Sequence, residues 1–146
     1  MIRSSVLLAA SCVVMASAAQ PRTLAGTWTL KAEAAQGHTP DGGNWSRDAI
    51  TGTLVIELKD TALTGTWTGP KGDAWPFTGQ VQLARFEFTT SVREVPATID
   101  GRQVMVRFRW RFRGENDHDT LRGTMVLDRE GEESERLQPF TATRRK

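Results

Sequence analysis

Apolar and polar side chains alternate along most of the chain from residue 24 onward. A period of two places successive side chains on opposite faces of a β-strand, and this part of the chain nowhere sustains the apolar spacing typical of an amphipathic helix. The chain is therefore predicted to be all-β. The apolar faces of eight predicted strands are formed by Leu24, Trp28 and Leu30; Leu54, Ile56 and Leu58; Leu63 and Trp67; Trp75, Phe77, Val81 and Leu83; Phe86 and Phe88; Val104, Val106, Phe108, Trp110 and Phe112; Leu121, Met125 and Leu127; and Phe140, Ala142 and Arg144.

Short turns connect these strands, which predicts an antiparallel meander closed into an up-and-down β-barrel of about eight strands. Asp100-Gly101 is a strong hairpin signal, so Val95–Ile99 is expected to pair with Arg102–Val106. A bulge near Val95-Pro96 is expected to shift the register of the preceding strand by one residue. The predicted fold is a closed sheet rather than an open one.

One short pattern occurs four times, as LAGTWT at residues 24–29, ITGTLV at 50–55, LTGTWT at 63–68 and LRGTMV at 121–126. Its glycine falls on the apolar face, where it occupies no interior volume and allows the strand to bend sharply. Its threonines fall on the other face, which suits β-branched side chains. The pattern is interpreted as a barrel strand written four times, not as a ligand-binding motif.

The amino-terminal residues have the layout of a secretory signal peptide. Arg3 precedes an apolar run, and small residues at 16–19 supply a cleavage site. We expect residues 1–19 to be a cleaved leader, residues 20–146 to be one domain, and the protein to be periplasmic or secreted, with no transmembrane segment. The alternative, lipidation at Cys12 through a lipobox, is disfavoured because the leucine before it stands one place too far away.

The amino-acid composition argues against disulfides, thiol catalysis and nucleic-acid binding in the expected mature domain. Cys12 is the single cysteine of the chain, so cleavage after Ala19 would exclude a disulfide framework and thiol catalysis. Loss of Arg3 leaves 18 basic and 17 acidic residues, and this balance gives no specific signal for nucleic acid.

Three short features resemble the lipocalin-like, or calycin, barrels, and above all the small secreted bacterial domains of this kind. They are Gly26-Thr27-Trp28 on the first strand, the long connection from Ala34 to Ala49, and Thr143-Arg144 on the last strand. The resemblance implies that the first-strand tryptophan packs against a last-strand arginine at the closed end of the barrel. Trp28 and Arg144 would then be structural residues that close the barrel floor.

Candidate catalytic and metal-binding residues are few. His38 and His118 have no recognisable catalytic or zinc-binding spacing, and no phosphate-binding loop or dinucleotide motif occurs. Asp117-His118-Asp119 offers metal-ligand atoms, but three consecutive residues at a hairpin tip cannot converge on one ion, so a solvated turn is favoured. We expect a protein that is not an enzyme, with no metal and no cofactor.

An arginine row is the strongest polar feature: Arg107, Arg109, Arg111 and Arg113 alternate with the apolar residues of the sixth strand. Placing these arginines inside the barrel would expose five apolar side chains, each worth about 1.5 to 3 kcal/mol of burial, so they are predicted to face outward. The row is either a solvated face or the contact surface of an interaction module that binds an acidic partner, a polyanion or an anionic lipid surface.

A small apolar ligand at the open mouth of the barrel is the first functional hypothesis. In the resembling barrels the long first connection covers this mouth, and here it carries Trp45. Whether a cavity remains is left open, because large side chains fill many small barrels. The candidate ligand-binding residues are Trp45, Trp75, Phe86, Phe88 and Trp110.

Overall fold

The computed structural model of the chain describes residues 24–146, so the expected leader at residues 1–19 lies outside the described part. Eleven strands are present in this part. They are β1 (Gly26–Ala32), β2 (Ala35–His38), β3 (Asn44–Arg47), β4 (Ile50–Lys59), β5 (Ala62–Thr68), β6 (Ala74–Gln82), β7 (Arg85–Thr90), β8 (Arg93–Ile99), β9 (Arg102–Asp117), β10 (Thr120–Arg129) and β11 (Gln138–Arg144).

Eight of these strands form a closed antiparallel barrel in the order β1, β4, β5, β6, β7, β9, β10 and β11, and β11 pairs with β1 to close it. Residues 24–146 contain no helix. The predicted fold class, an all-β up-and-down barrel of eight strands, is confirmed. Closure leaves these eight strands with paired neighbours on both sides, which removes the exposed edges of an open sheet.

The two ends of the barrel differ. The floor lies where β1 begins, and there the guanidinium carbon of Arg144 is 4.3 Å from the centre of the Trp28 ring. The Trp28 indole N–H donates to the Leu24 carbonyl oxygen at 2.9 Å. The mouth is the opposite end, where β1 and β10 end and where β4 and β11 begin.

Two of the four glycines of the repeated pattern lie where aromatic rings cross the strands. A Cβ atom on Gly52 would stand 2.4 Å from the ring of Trp67, and one on Gly65 would stand 2.6 Å from the ring of Phe77. Both distances are far below van der Waals contact, so only glycine leaves room for the ring. At the other two glycines of the pattern the nearest atoms belong to Arg144 or to the β9 backbone, so the repeats share a close approach and not one kind of contact.

Two expectations about strand ends are wrong. Leu83 does not belong to an apolar face: it lies in the β6–β7 turn with a φ of 56° and is 97% exposed. A two-residue turn at this position takes the left-handed conformation, which removes the side chain from the sheet. The register shift also lies earlier than expected, between Thr90 and Arg93 instead of near Val95.

Thr90 explains where the shift occurs. Its hydroxyl oxygen accepts the Trp110 backbone N–H at 2.8 Å, and its hydroxyl group donates to the Ser91 carbonyl at 3.1 Å. A buried side chain therefore satisfies a backbone donor that the interrupted ladder leaves without a carbonyl partner.

The Ala34–Ala49 connection contains a hairpin of its own, β2 with β3, which the loop-like composition did not predict. Gln138 holds both ends of this connection at the rim of the mouth. Its buried amide donates to the Glu33 carbonyl at 3.2 Å and to the Asp48 carbonyl at 2.9 Å.

The pairing of Val95–Ile99 with Arg102–Val106 is present as predicted. β7 and β10 end before this hairpin, since Thr89 is the last β7 residue paired with β9 and Arg129 pairs with Phe108. Residues 93–107 therefore extend beyond the rim of the mouth as a two-stranded arm. This segment is called the arm below.

Candidate functional site

The barrel interior is packed with aromatic rings. Phe88 stacks on Phe77 at 4.1 Å and on Phe112 at 4.6 Å between ring centroids, and Phe86 lies 5.9 Å from Phe88. These side chains are almost fully buried. Three of the five candidate ligand residues, Trp75, Phe86 and Phe88, belong to this core. They contact protein atoms over nearly their whole surface, so a ligand would reach them only if the core repacked.

Trp110 is a candidate that lies outside the fully buried core. Its ring is partly buried on the inner face of β9 and meets Trp67 edge-to-face at 6.4 Å. Phe108, two residues earlier on the same face, is also partly buried. Both rings are thus more accessible than Phe112 deeper in the barrel, whereas Val106, within the arm, is buried again.

Trp45 is half-buried in β3, and its ring lies across Gly37 of β2. A Cβ atom on Gly37 would stand 2.7 Å from the indole nitrogen, which shows how closely the ring approaches the backbone. The ring is not part of the barrel core and lines a cleft of about 450 Å³ on the β2–β3 hairpin. Trp45 thus stabilises the hairpin that stands beside the mouth.

The arginine row faces outward, and three of its four members contact a carboxylate. Arg107 Nε lies 2.6 Å from Glu130. Arg113 lies 3.8 Å from Glu87, and both of these side chains are about two-thirds exposed. The third pair, formed by Arg111, is described below. Cross-strand acids thus neutralise most of the row, which weakens it as a surface for an acidic partner.

The pair formed by Arg111 is buried on its acidic side. Asp128 is 1% exposed and accepts the Arg111 Nε–H at 2.9 Å. This carboxylate raises the pKa of Arg111 through the hydrogen bond, despite the opposing effect of burial. Asp128 also accepts the Ser134 backbone N–H at 2.8 Å, and Arg111 donates to the Ser134 carbonyl at 3.3 Å.

These hydrogen bonds fasten residues 130–137, which connect β10 to β11, onto the outside of the barrel. The segment covers Asp128, an outward-facing residue of β10, and this explains why an acid on the outer face is inaccessible to water. The same segment reaches the mouth. It places Ser134 and Arg136 on the wall of a cleft there.

This first mouth cleft has a volume of about 250 Å³. Phe108 and Leu127 supply its apolar surface. The remaining wall is polar and comes from β3, the end of β10 and the 130–137 segment. Those residues are Arg47, Arg129, Glu132, Glu133, Ser134 and Arg136.

A second cleft of about 540 Å³ adjoins the first, because Arg129 lines both. It follows β9 where the arm leaves the barrel. Three of its apolar side chains are exposed: Ile99 by 41%, Val104 by 38% and Met105 by 59%. Arg102 and Asp100 at the tip of the arm also line it. The two clefts adjoin at Arg129, and each combines apolar side chains with arginines.

Arg47 has an unusual environment. It is half-buried, and within residues 24–146 its guanidinium makes neither an ion pair nor a hydrogen bond. Burial lowers the pKa of Arg47, and the positive charge of Arg136 lowers it further. Two arginines on separate elements therefore face the same cleft without a carboxylate bound to Arg47.

Sequence reasoning did not select Arg47, Arg129 or Arg136 for this site. The three residues are separated along the chain, and none of them belongs to a recognisable motif. The sequence pattern pointed to this region only through Phe108 and Leu127, whose alternation with polar residues predicted that they face inward. Their convergence depends on how the β2–β3 hairpin and the 130–137 segment fold back over the mouth.

The residues considered for a metal site have other contacts. Across the described part of the chain, no three His, Cys, Asp or Glu side chains gather into a metal-binding group. Asp119 accepts a hydrogen bond from Arg144 Nε at 3.2 Å, and His118 occupies the turn with a φ of 56°. Residues 24–146 also include no helix long and apolar enough to cross a membrane.

No family model matches the chain, and no curated protein matches it. The mouth is therefore interpreted from its own geometry.

Proposed function

We propose that this protein is a lipocalin-like barrel that binds a small apolar ligand at its mouth, on the surface formed by the two adjoining clefts. The supporting observation is the exposure of Ile99 and Val104, which lie on the same strand face as the less exposed Phe108. Neighbouring exposed apolar side chains in a concave surface are characteristic of binding sites, whereas singly exposed ones are common everywhere.

The packed interior supports a site at the mouth rather than deep in the barrel. Phe88 and Phe112 occupy the barrel axis in stacked contact. The arm instead adds apolar surface outside the barrel, where a ligand can bind without displacing core side chains. The Trp28–Arg144 contact at the other end supports the lipocalin-like part of the proposal.

The alternative is an interaction module that binds an acidic partner through the arginine row. Arg107, Arg111 and Arg113 already contact carboxylates of the same chain, so a partner would have to compete with them. The mouth offers apolar surface without such competition and is the preferred site.

Binding can be tested with N-phenyl-1-naphthylamine, a neutral fluorescent probe whose emission rises in apolar surroundings. We expect saturable binding that Val104→Asp weakens, because a carboxylate would then occupy the apolar wall. Leu83→Asp is the matched control, since it also replaces an exposed apolar residue but lies at the floor end of the barrel. Absence of saturable binding, or equal loss in both variants, would contradict a site at the mouth.

We further propose that the protein acts in the periplasm or outside the cell, as a cleaved leader at residues 1–19 would require. Expression of the full chain in a bacterium, followed by mass measurement of the purified protein, tests this. The expected amino terminus is Gln20. A product that retains Met1 would contradict the proposal.

A further inference from the structure

The arginines at the mouth point to the chemical class of the ligand, and the argument begins with Arg47. A half-buried guanidinium has lost part of its hydration, and proteins normally compensate this loss with a carboxylate or a hydrogen-bond acceptor. Within residues 24–146 Arg47 has neither, and Arg136 adds a like charge from across the cleft. No group of the described chain therefore competes with a bound anion for the Arg47 guanidinium.

The carboxylates near the cleft do not remove this charge. Glu132 and Glu133 line the cleft but are exposed, and neither forms an ion pair with Arg47 among the described residues. Glu133 acts on Arg111 instead, since its charge helps to raise the pKa of Arg111. Asp41 lies in the β2–β3 turn and is fully exposed. Hydrogen bonds lower its pKa, and the charge of Arg136 adds to this effect.

Three arginines and two glutamates line this cleft, so its wall carries a net positive charge next to Phe108 and Leu127. A guanidinium presents its N–H groups in a planar fork that fits the oxygens of a carboxylate or a phosphate. The arrangement suits a molecule with an anionic group at one end and an apolar group at the other.

We propose that the ligand is an amphipathic anion whose charged group binds Arg47 and Arg136, with Arg129 beside it, while its apolar part lies along Phe108 and the arm. This inference rests on the proposed function, because it assigns a ligand class to the same surface. The anion would link the β2–β3 hairpin to the 130–137 segment, two elements whose arginines otherwise repel each other.

The test compares ligands that share a twelve-carbon chain and differ in the head group: dodecanoate and dodecyl phosphate as anions, and dodecanol as the neutral reference. Isothermal titration calorimetry should show both anions, or the one whose shape fits, binding about tenfold or more tightly than dodecanol, as expected for a charge-assisted hydrogen bond. Arg47→Gln should reduce this preference severalfold, because it lowers the affinity for the anions much more than that for dodecanol.

Glu132→Gln is the matched control with the opposite sign. It removes a negative charge from the same cleft, so the affinity for the anions should stay the same or rise. Thermal unfolding without ligand supplies a second readout: Arg47→Gln should leave the midpoint unchanged or raise it, because a partly desolvated charge is removed. A purely structural role for Arg47 would lower the midpoint instead.

The outcomes separate this inference from the proposed function. Equal affinity for dodecanol and for both anions would overturn the anionic class while leaving an apolar site in place. An anion preference that persists in Arg47→Gln would overturn the assignment to Arg47. If none of the three compounds binds, the proposed function itself fails.

Discussion

Replacing Asp128 with alanine should destabilise the protein more than the same replacement of any other acidic residue on the outer face of the barrel. The substitution removes the acceptor for Arg111 Nε and for the Ser134 backbone N–H. Breaking a buried ion pair costs about 3 to 5 kcal/mol. The Arg111 side chain is 23% exposed and can regain some hydration. We therefore expect the free energy of unfolding to fall by an amount at the lower end of this range, about 3 kcal/mol.

Urea denaturation followed by tryptophan fluorescence measures this loss as a free energy of unfolding. In thermal unfolding it corresponds to a fall in the midpoint of about 10 °C for a domain of this size. Glu87→Ala is the matched control, because Glu87 faces Arg113 of the same row at 3.8 Å with both side chains about two-thirds exposed. That exposed pair should contribute less than about 1 kcal/mol.

The penalty of Asp128→Ala should also be the same near neutral pH and in mildly alkaline solution. The pKa of Arg111 is raised, so the stability that its charge contributes is present below its ordinary pKa and is lost only in strongly alkaline solution. Equal small losses in Asp128→Ala and Glu87→Ala would refute the reasoning, since burial would then make no difference. A penalty that disappears on mild alkalinisation would show that Arg111 is not the partner that matters.

Gly52→Ala should lower the free energy of unfolding by about 1 to 3 kcal/mol, because the new methyl group would stand 2.4 Å from the Trp67 ring. Urea denaturation measures this loss, with Thr51→Ala as an exposed control. An unchanged midpoint would contradict the packing role of Gly52. Gln138→Ala should cost about 2 kcal/mol, because it leaves two carbonyl groups at the rim without their buried donor. Hydrogen exchange should then quicken in the β2–β3 hairpin but not in Gln80→Ala, an exposed substitution on β6, and an unaltered hairpin would show that Gln138 does not hold it.

The 130–137 segment connects these stability arguments to the proposed site. Asp128 and Arg111 hold Ser134 against the barrel, and Arg136 lies two residues further on. An ion pair on the outer face therefore positions a residue of the mouth. Asp128→Ala should be used in binding experiments only with this indirect effect in mind, whereas Arg47→Gln and Glu132→Gln act at the cleft directly.

Alternation together with the short turns was sufficient to predict the barrel. Each strand must bury one face, so the run from Val104 to Phe112 could place its arginines only on the outside. Local turn chemistry was sufficient for the hairpin at Asp100-Gly101. It was not sufficient for Leu83, because a turn residue and a strand residue look alike when an apolar side chain occupies the left-handed position.

The sequence by itself thus determined the fold class and the facing of the strands, because these depend on neighbours along one strand. It also marked the repeated glycines, but the rings that cross Gly52 and Gly65 come from neighbouring strands and are seen only in the tertiary structure. Only the tertiary structure decided which side chains meet at the mouth. Arg47, Arg129 and Arg136 come from separate elements, and their common environment arises from closure of the barrel and from the fastening of two connections to its rim. Long-range contacts of this kind leave no periodic signal in the chain, since each residue is placed by a partner far away in sequence.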